Sequence, residues 1–153
     1  MSLEVAHPIW SSAKGNPHEI SKAIQQARML SGQYRTNVLM SKWNTGVEKQ
    51  CQRCDSQQDE SLEHLLLECT AYTEQRQKMI SLWLKSEEPV VRNLVLEAFT
   101  NTREYLLQFI LDCSVLPSVI RAGQIFGDTI THELFYFTRT WCFIIHQKRI
   151  KSF

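Results

Sequence analysis

Four residues constrain this chain more than any others: Cys51, Cys54, His64 and Cys69, spaced C-x2-C-x9-H-x4-C. Three thiolates and one imidazole are the number and kind of donors that a closed tetrahedral zinc site uses. The Cys51-Gln52-Arg53-Cys54 half suits a tight turn that aims two sulfurs at one point. Asp59, Glu60 and Ser61 supply helix-start chemistry, with Ser61 the cap before an apolar run. His64 and Cys69 then fall on or beside the first turns of that helix. Five positions do not share one α-helical face, so ligation by Cys69 requires a local distortion of the helix. Two other readings of the cysteines stay open here. Cys51 and Cys54 can be a redox pair, or they can be incidental, with Cys69 a small core residue. The polar neighbours Gln50, Gln52, Arg53 and Asp55 do not resemble a core strand.

Four protein ligands leave no position for water, so zinc held this way is structural and not hydrolytic. Such an ion contributes folding free energy directly, because the unfolded chain does not pre-assemble its ligands. The loop of residues 47–60 has almost no apolar material of its own and is expected to depend on the ion. On this reading Cys51→Ser loosens the loop and leaves the C-terminal helices folded. Catalytic motifs are missing: there is no Gly-rich phosphate loop, no G-x-S-x-G and no H-E-x-x-H. The chain is therefore read as a non-enzyme. His132, in Thr131-His132-Glu133, and His146 are read as helix-surface or core residues, and Cys113 and Cys142 as buried thiols.

The apolar spacing is helical almost throughout, and five Gly and four Pro in 153 residues disfavour an all-β or disordered chain. The expectation is a mostly α fold: a helical domain with a zinc-knuckle-like CCHC loop and a long C-terminal helix. Residues 1–16 read as an irregular arm, 17–86 as the zinc-binding helical region and 87–153 as a C-terminal helical region. Asn16 as cap, Pro17 as first residue and Gly32 past the end define a helix over 17–31. A second, short helix is expected over 33–43. A long one follows over 62–84, then one over 90–99, and another capped by Thr100 or Asn101. The last runs from Pro117 to about Lys148, with Gly123 and Gly127 as candidate kinks. Its aromatic residues read as packing core, with a partner surface as the alternative. Lys148-Arg149-Ile150-Lys151 suits a helix C-terminus, with phosphate contact as the second reading. No run of 18 uninterrupted apolar residues occurs, and no membrane span is expected. The first residues lack the apolar core of a signal peptide, and thiols held for metal suit a reducing compartment, nuclear or cytoplasmic.

The net charge of +1 hides an uneven distribution. Residues 1–54 carry seven Lys/Arg against three acids, whereas residues 55–97 carry four against nine. Arg28, Arg35, Lys42, Lys49 and Arg53 lead into the metal motif and can meet phosphates, with Tyr34 or Trp43 stacking on unpaired bases. The same charges can equally be a solvated helix face.

Around residues 28–83 the pattern resembles a known family. The stretches ARMLSGQYRTNVLMSKWN and CQRCDSQQDESLEHLLLECTAYTEQRQKM are similar to the zinc-binding segment C-terminal to the polymerase in non-LTR (LINE-type) retrotransposon reverse transcriptases. Gly32, Tyr34, Leu39, Cys51, Cys54, Glu60, Glu63, His64, Leu66, Glu68, Cys69 and Tyr72 fall on that segment's positions, and Thr70 stands where Pro is common. The C-terminal ELFYFTRTWCFIIHQKR looks like the tail that follows it. The resemblance implies zinc binding and engagement of RNA or DNA beside a polymerase. The polymerase carboxylates are absent, so the chain is expected to be a detached C-terminal fragment or a small derived gene product. Two functions are carried forward: a zinc-stabilised, non-catalytic nucleic-acid-binding module, and a helical protein-interaction domain whose zinc only clips helices together. In the second, the acidic residues 55–97 and the aromatic C-terminal helix form the partner surface.

Overall fold

Every proline in the sequence opens a helix, where its missing N–H costs nothing and its fixed φ is already helical. The computed structural model describes residues 7–151. In chain order the helices are α1 (Pro8–Ser11), α2 (Pro17–Leu30), α3 (Asn37–Ser41), α4 (Thr73–Leu84), α5 (Pro89–Phe99), α6 (Arg103–Asp112), α7 (Pro117–Phe126) and α8 (Asp128–Lys151). A π-helical turn, His64–Glu68, and a 3-10 turn, Thr70–Tyr72, precede α4, and a 3-10 turn, Cys113–Val115, joins α6 to α7. Side-chain caps fix most starts: Asn16 accepts from the His18 N–H (2.9 Å), Thr36 from Leu39 (3.2 Å) and Thr102 from Tyr105 (3.2 Å). The chain is mostly α, as the periodicity predicts.

Helix α8 is the axis of the molecule, packing against α1, α2, α4, α5, α6 and α7. Its Leu134, Phe135, Phe137, Trp141, Cys142 and Ile145 are all 1% exposed or less. The α8 aromatics are thus core, with Phe137 edge-on to Trp141 (centroids 5.9 Å apart) and tilted against Trp83 of α4 (4.0 Å). Cys113 and Cys142 are buried as expected, and burial pushes both thiols up. One core runs from Ile9 to Ile145.

Several expectations need correction. Residues 1–6 of the expected N-terminal arm lie outside the described residues, but residues 7–16 are not irregular. His7 caps α1, Ile9 is 3% exposed, and His7 Nε2 reaches Asp112 Oδ2 of α6 at 2.9 Å. Arg139, buried in α8, donates to Glu19 of α2 (2.7 Å) and Ser12 (2.8 Å), which ties the segment down from below. The helix expected over 33–43 shrinks to α3, because Thr36 is extended as the cap residue, its side chain accepting from the Leu39 N–H. The expected 62–84 helix is broken at Cys69, whose ψ of 122° ends the π turn. The cap before α6 is Thr102, and neither Thr100 nor Asn101. The C-terminal element is two helices: Gly127 (φ 89°, ψ 178°) breaks it, while Gly123 remains inside α7. By length and composition alone residues 103–126 meet the measure of a bilayer span (mean hydropathy 1.4). In the fold this stretch is α6 and α7, separated by a turn and packed on α8.

The backbone of Gly127 lies in a region essentially reserved for glycine, and an added Cβ would meet nothing within 4 Å. Gly127→Ala is therefore expected to destabilise the fold by about 1–3 kcal/mol through backbone strain alone. Urea unfolding followed by circular dichroism measures it, and an unchanged midpoint would show that the break tolerates a side chain.

Candidate metal centre and the adjoining groove

The metal loop is closed at its base by a short antiparallel pairing. Gln50 bridges Asp59, the Cys51 N–H donates to the Gln58 carbonyl (2.8 Å), and the Glu60 N–H donates to the Lys49 carbonyl (2.8 Å). Gln57 turns the chain through positive φ (59°). This brings Cys51 and Cys54 to the loop's inner side, beside the start of the π turn. Ser61 caps that turn through the His64 N–H (3.2 Å). The Cys69 N–H then donates to the His64 carbonyl at 2.7 Å, an i to i+5 bond. The wider π turn is the required distortion: it brings residues five apart round to nearly the same side, so His64 and Cys69 face the loop together.

The four donor atoms lie within 4.8 Å of one another. Cys51 Sγ and Cys69 Sγ are 3.8 Å apart, and Cys54 Sγ and His64 Nε2 are 3.3 Å apart. With Zn–S near 2.3 Å and Zn–N near 2.0 Å, tetrahedral edges are about 3.8 Å between sulfurs and about 3.5 Å between sulfur and nitrogen. The spacing fits the ion. The other ring nitrogen of His64 is within 3.1 Å of Gln58 Oε1 and 3.7 Å of Glu68 Oε2, partners that fix the ring so that Nε2 faces the sulfurs. Burial opposes ionisation of Cys54, but the hydroxyl and N–H of Ser56, with His64, outweigh it and bring the thiol down to about 6. Burial and the adjacent Cys51 sulfur push Cys69 up to about 12, against the Ala71 N–H. One donor is thus ready as thiolate near neutral pH, and another must surrender its proton to a metal.

Behind the loop sits Glu60, 0% exposed. Its carboxylate accepts from Arg53 of the metal loop (2.9 Å), from Arg149 of α8 (2.7 Å) and from the Asn37 N–H at the start of α3 (3.0 Å). Arg149 also donates to the Arg35 carbonyl (2.9 Å) and lies 5.4 Å from the Tyr34 ring centroid. The Tyr34 hydroxyl and His146 Nδ1 are 2.8 Å apart. Trp141 Nε1 donates to the Leu66 carbonyl of the π turn (3.2 Å). The metal loop is therefore built into the main core.

The structure sorts the basic residues singled out in the sequence. Arg28, Arg35, Lys42 and Lys49 are exposed, and none has a carboxylate partner among the described residues. Arg28 and Arg35 line one groove of about 580 Å³ together with Tyr34, Trp43, His146 and Arg149. Lys42 and Lys49 lie outside its lining. Arg53 is turned inward onto Glu60, its side chain 11% exposed, and is a structural cation. Tyr34 is buried with Arg149 over its ring, which withdraws it from stacking. Trp43 remains, 72% exposed. Sequence reasoning offered Arg149 only as part of a basic tail that could meet phosphate, and it missed His146 as a groove residue and Glu60 as the link. The partners of Glu60 are up to 89 residues away, so no local spacing could reveal them.

A Cys3His centre set into an all-helical framework defines a zinc-binding module. The family model described as zinc-binding in reverse transcriptase matches residues 4–75, in agreement with the resemblance found in the sequence. Comparison with curated proteins and with solved structures gives no match.

Purified chain is expected to carry one zinc ion, and His64→Ala to carry well below one, by elemental analysis alongside a chelator titration. Because Cys69 must lose a proton on ligation, zinc affinity is expected to fall as pH is lowered. Full zinc content in the variant would remove His64 from the site. Glu60→Gln leaves two guanidiniums without their buried anion and is expected to cost about 3–5 kcal/mol in chemical denaturation. A loss below about 1 kcal/mol would mean that Arg53 and Arg149 find other partners.

Proposed function

We propose that the chain is a zinc-stabilised, non-catalytic module that binds nucleic acid. The observation that carries this reading is the groove: Arg28 and Arg35 stand on it without counter-ions among the described residues, beside an exposed indole. Guanidiniums free of acids are suited to phosphate, and phosphate contacts position a strand without reading its sequence. The family match supports the reading by placing this zinc region among reverse transcriptases. The acidic stretch does not oppose it. Glu60 is internal, Glu68 is paired with Arg103, and Glu74 with Lys78 (3.1 Å), so part of the negative charge is answered within the chain. Zinc fixes the loop, and the loop holds Arg53 against Glu60. The ion's part is architectural, because four protein donors surround it.

A second reading, a partner protein, is favoured by one observation. Leu82 of α4 and Ile125 and Phe126 of α7 are 64%, 65% and 54% exposed. These residues, rather than the buried aromatics of α8, would carry it.

The proposal predicts binding to short RNA or DNA that weakens steeply with salt, since neutralised phosphates release counterions. Arg28→Ala and Arg35→Ala should each reduce the salt slope by about one and weaken all sequences alike. Fluorescence anisotropy over a salt series measures both. Salt-independent or undetectable binding, with self-association instead, would favour the partner-protein reading.

A further inference from the structure

The groove has features that go beyond charge. Three guanidiniums, those of Arg28, Arg35 and Arg149, line it, and no carboxylate does. Arg149 is answered from behind by Glu60, whereas Arg28 and Arg35 have no carboxylate partner among the described residues. Burial, and then the positive charges of Arg149 and Arg28, lower the pKa of His146. On the rim stands Trp43, the most exposed large apolar side chain among the described residues. Its indole is not occupied by any ring or cation contact there. Gln25 and Gln33 add amides, which can donate to and accept from a base edge.

We infer that this groove holds one unstacked nucleotide of a single strand, its base against the Trp43 indole and its phosphate between Arg28 and Arg35. The inference rests on the nucleic-acid reading above and adds strandedness to it. In a duplex both faces of every base are covered, so an indole reaches one only after unstacking. A single strand presents its bases without that cost, and every base offers a face to an aromatic ring. The groove's volume of about 580 Å³ is that of a small-ligand pocket and suits a nucleotide, not a double helix. The occupant is thus set apart from a duplex lying across a basic surface, which would use Arg28 and Arg35 and leave Trp43 idle.

The test compares a short labelled oligothymidylate with a short labelled duplex at low salt, using the zinc-loaded full chain. Trp43→Ala is expected to weaken single-strand binding roughly tenfold and leave duplex binding within about twofold. Trp43→Phe, which keeps an aromatic face, should recover most of the loss. Tryptophan emission should be quenched by the oligothymidylate in the parent chain and much less in Trp43→Phe. Trp43 is largely solvent-exposed, so both variants should keep the parent's circular dichroism and zinc content. If Trp43→Ala leaves single-strand binding unchanged, or weakens both ligands equally, the nucleotide site is overturned while nucleic-acid binding stands. If neither oligonucleotide binds the parent chain at low salt, the nucleic-acid reading itself fails and the site falls with it.

Discussion

A single carboxylate inside the protein holds its two halves in register. Glu60 is the last residue of the metal loop, and its oxygens are shared between Arg53 from within that loop and Arg149 from the last turn of α8. A buried anion is tolerated only when paired and hydrogen-bonded. Here the two guanidiniums and the Asn37 N–H meet that condition together. The net stabilisation of such a triad over an apolar core is small, since desolvation offsets much of the attraction. Its value is geometric. Only one docking of the loop against α8 satisfies all three partners, and that docking also sets Arg149 over Tyr34 and against the Arg35 carbonyl. The wall of the groove and the back of the metal centre are therefore one hydrogen-bonded unit.

The metal centre depends on the same economy of local backbone. Two of its donors come from a turn pinned by the Gln50–Asp59 bridge, and two from a helix start widened into a π turn. Cys51, His64 and Cys69 are 5%, 3% and 0% exposed, so the ligands belong to the hydrophobic interior as much as to the site. Leu65 and Leu66, between His64 and Cys69, are fully buried, and Leu66 lends its carbonyl to Trp141. One short segment thus ligates on one side and packs on the other.

Much of this was readable in the sequence wherever the cause is local. Asn16-Pro17 and Gly32 bracket α2 because capping and φ constraints act over a few residues. The C-x2-C-x9-H-x4-C spacing named all four donors, and even the mismatch of five positions with an α-helical face pointed to the distortion at Cys69. The rest was hidden because its causes are long-range. Nothing near Arg149 distinguishes it from Lys148 or Lys151, yet it is 6% exposed and paired with a residue in the metal loop. Arg53 looked like a surface cation for the same reason. Pro8 and Ile9 gave too little periodicity to predict a helix, and only the contacts of His7 with Asp112 and of Ser12 with Arg139 order that segment. Gly127 was a candidate break, and the left-handed φ it adopts is visible only once α7 has folded back on α8.

The order of elements along the chain bears on how the molecule is made. Helix α8 is C-terminal to every element it organises, so α1 to α7 leave the ribosome before the surface that covers them exists. The metal ligands have no such delay: all four lie within residues 51–69, and an ion can gather them while the C-terminal third is still being synthesised. A chelated loop would then offer Arg53 and Glu60 as a half-finished clasp, which closes when Arg149 arrives.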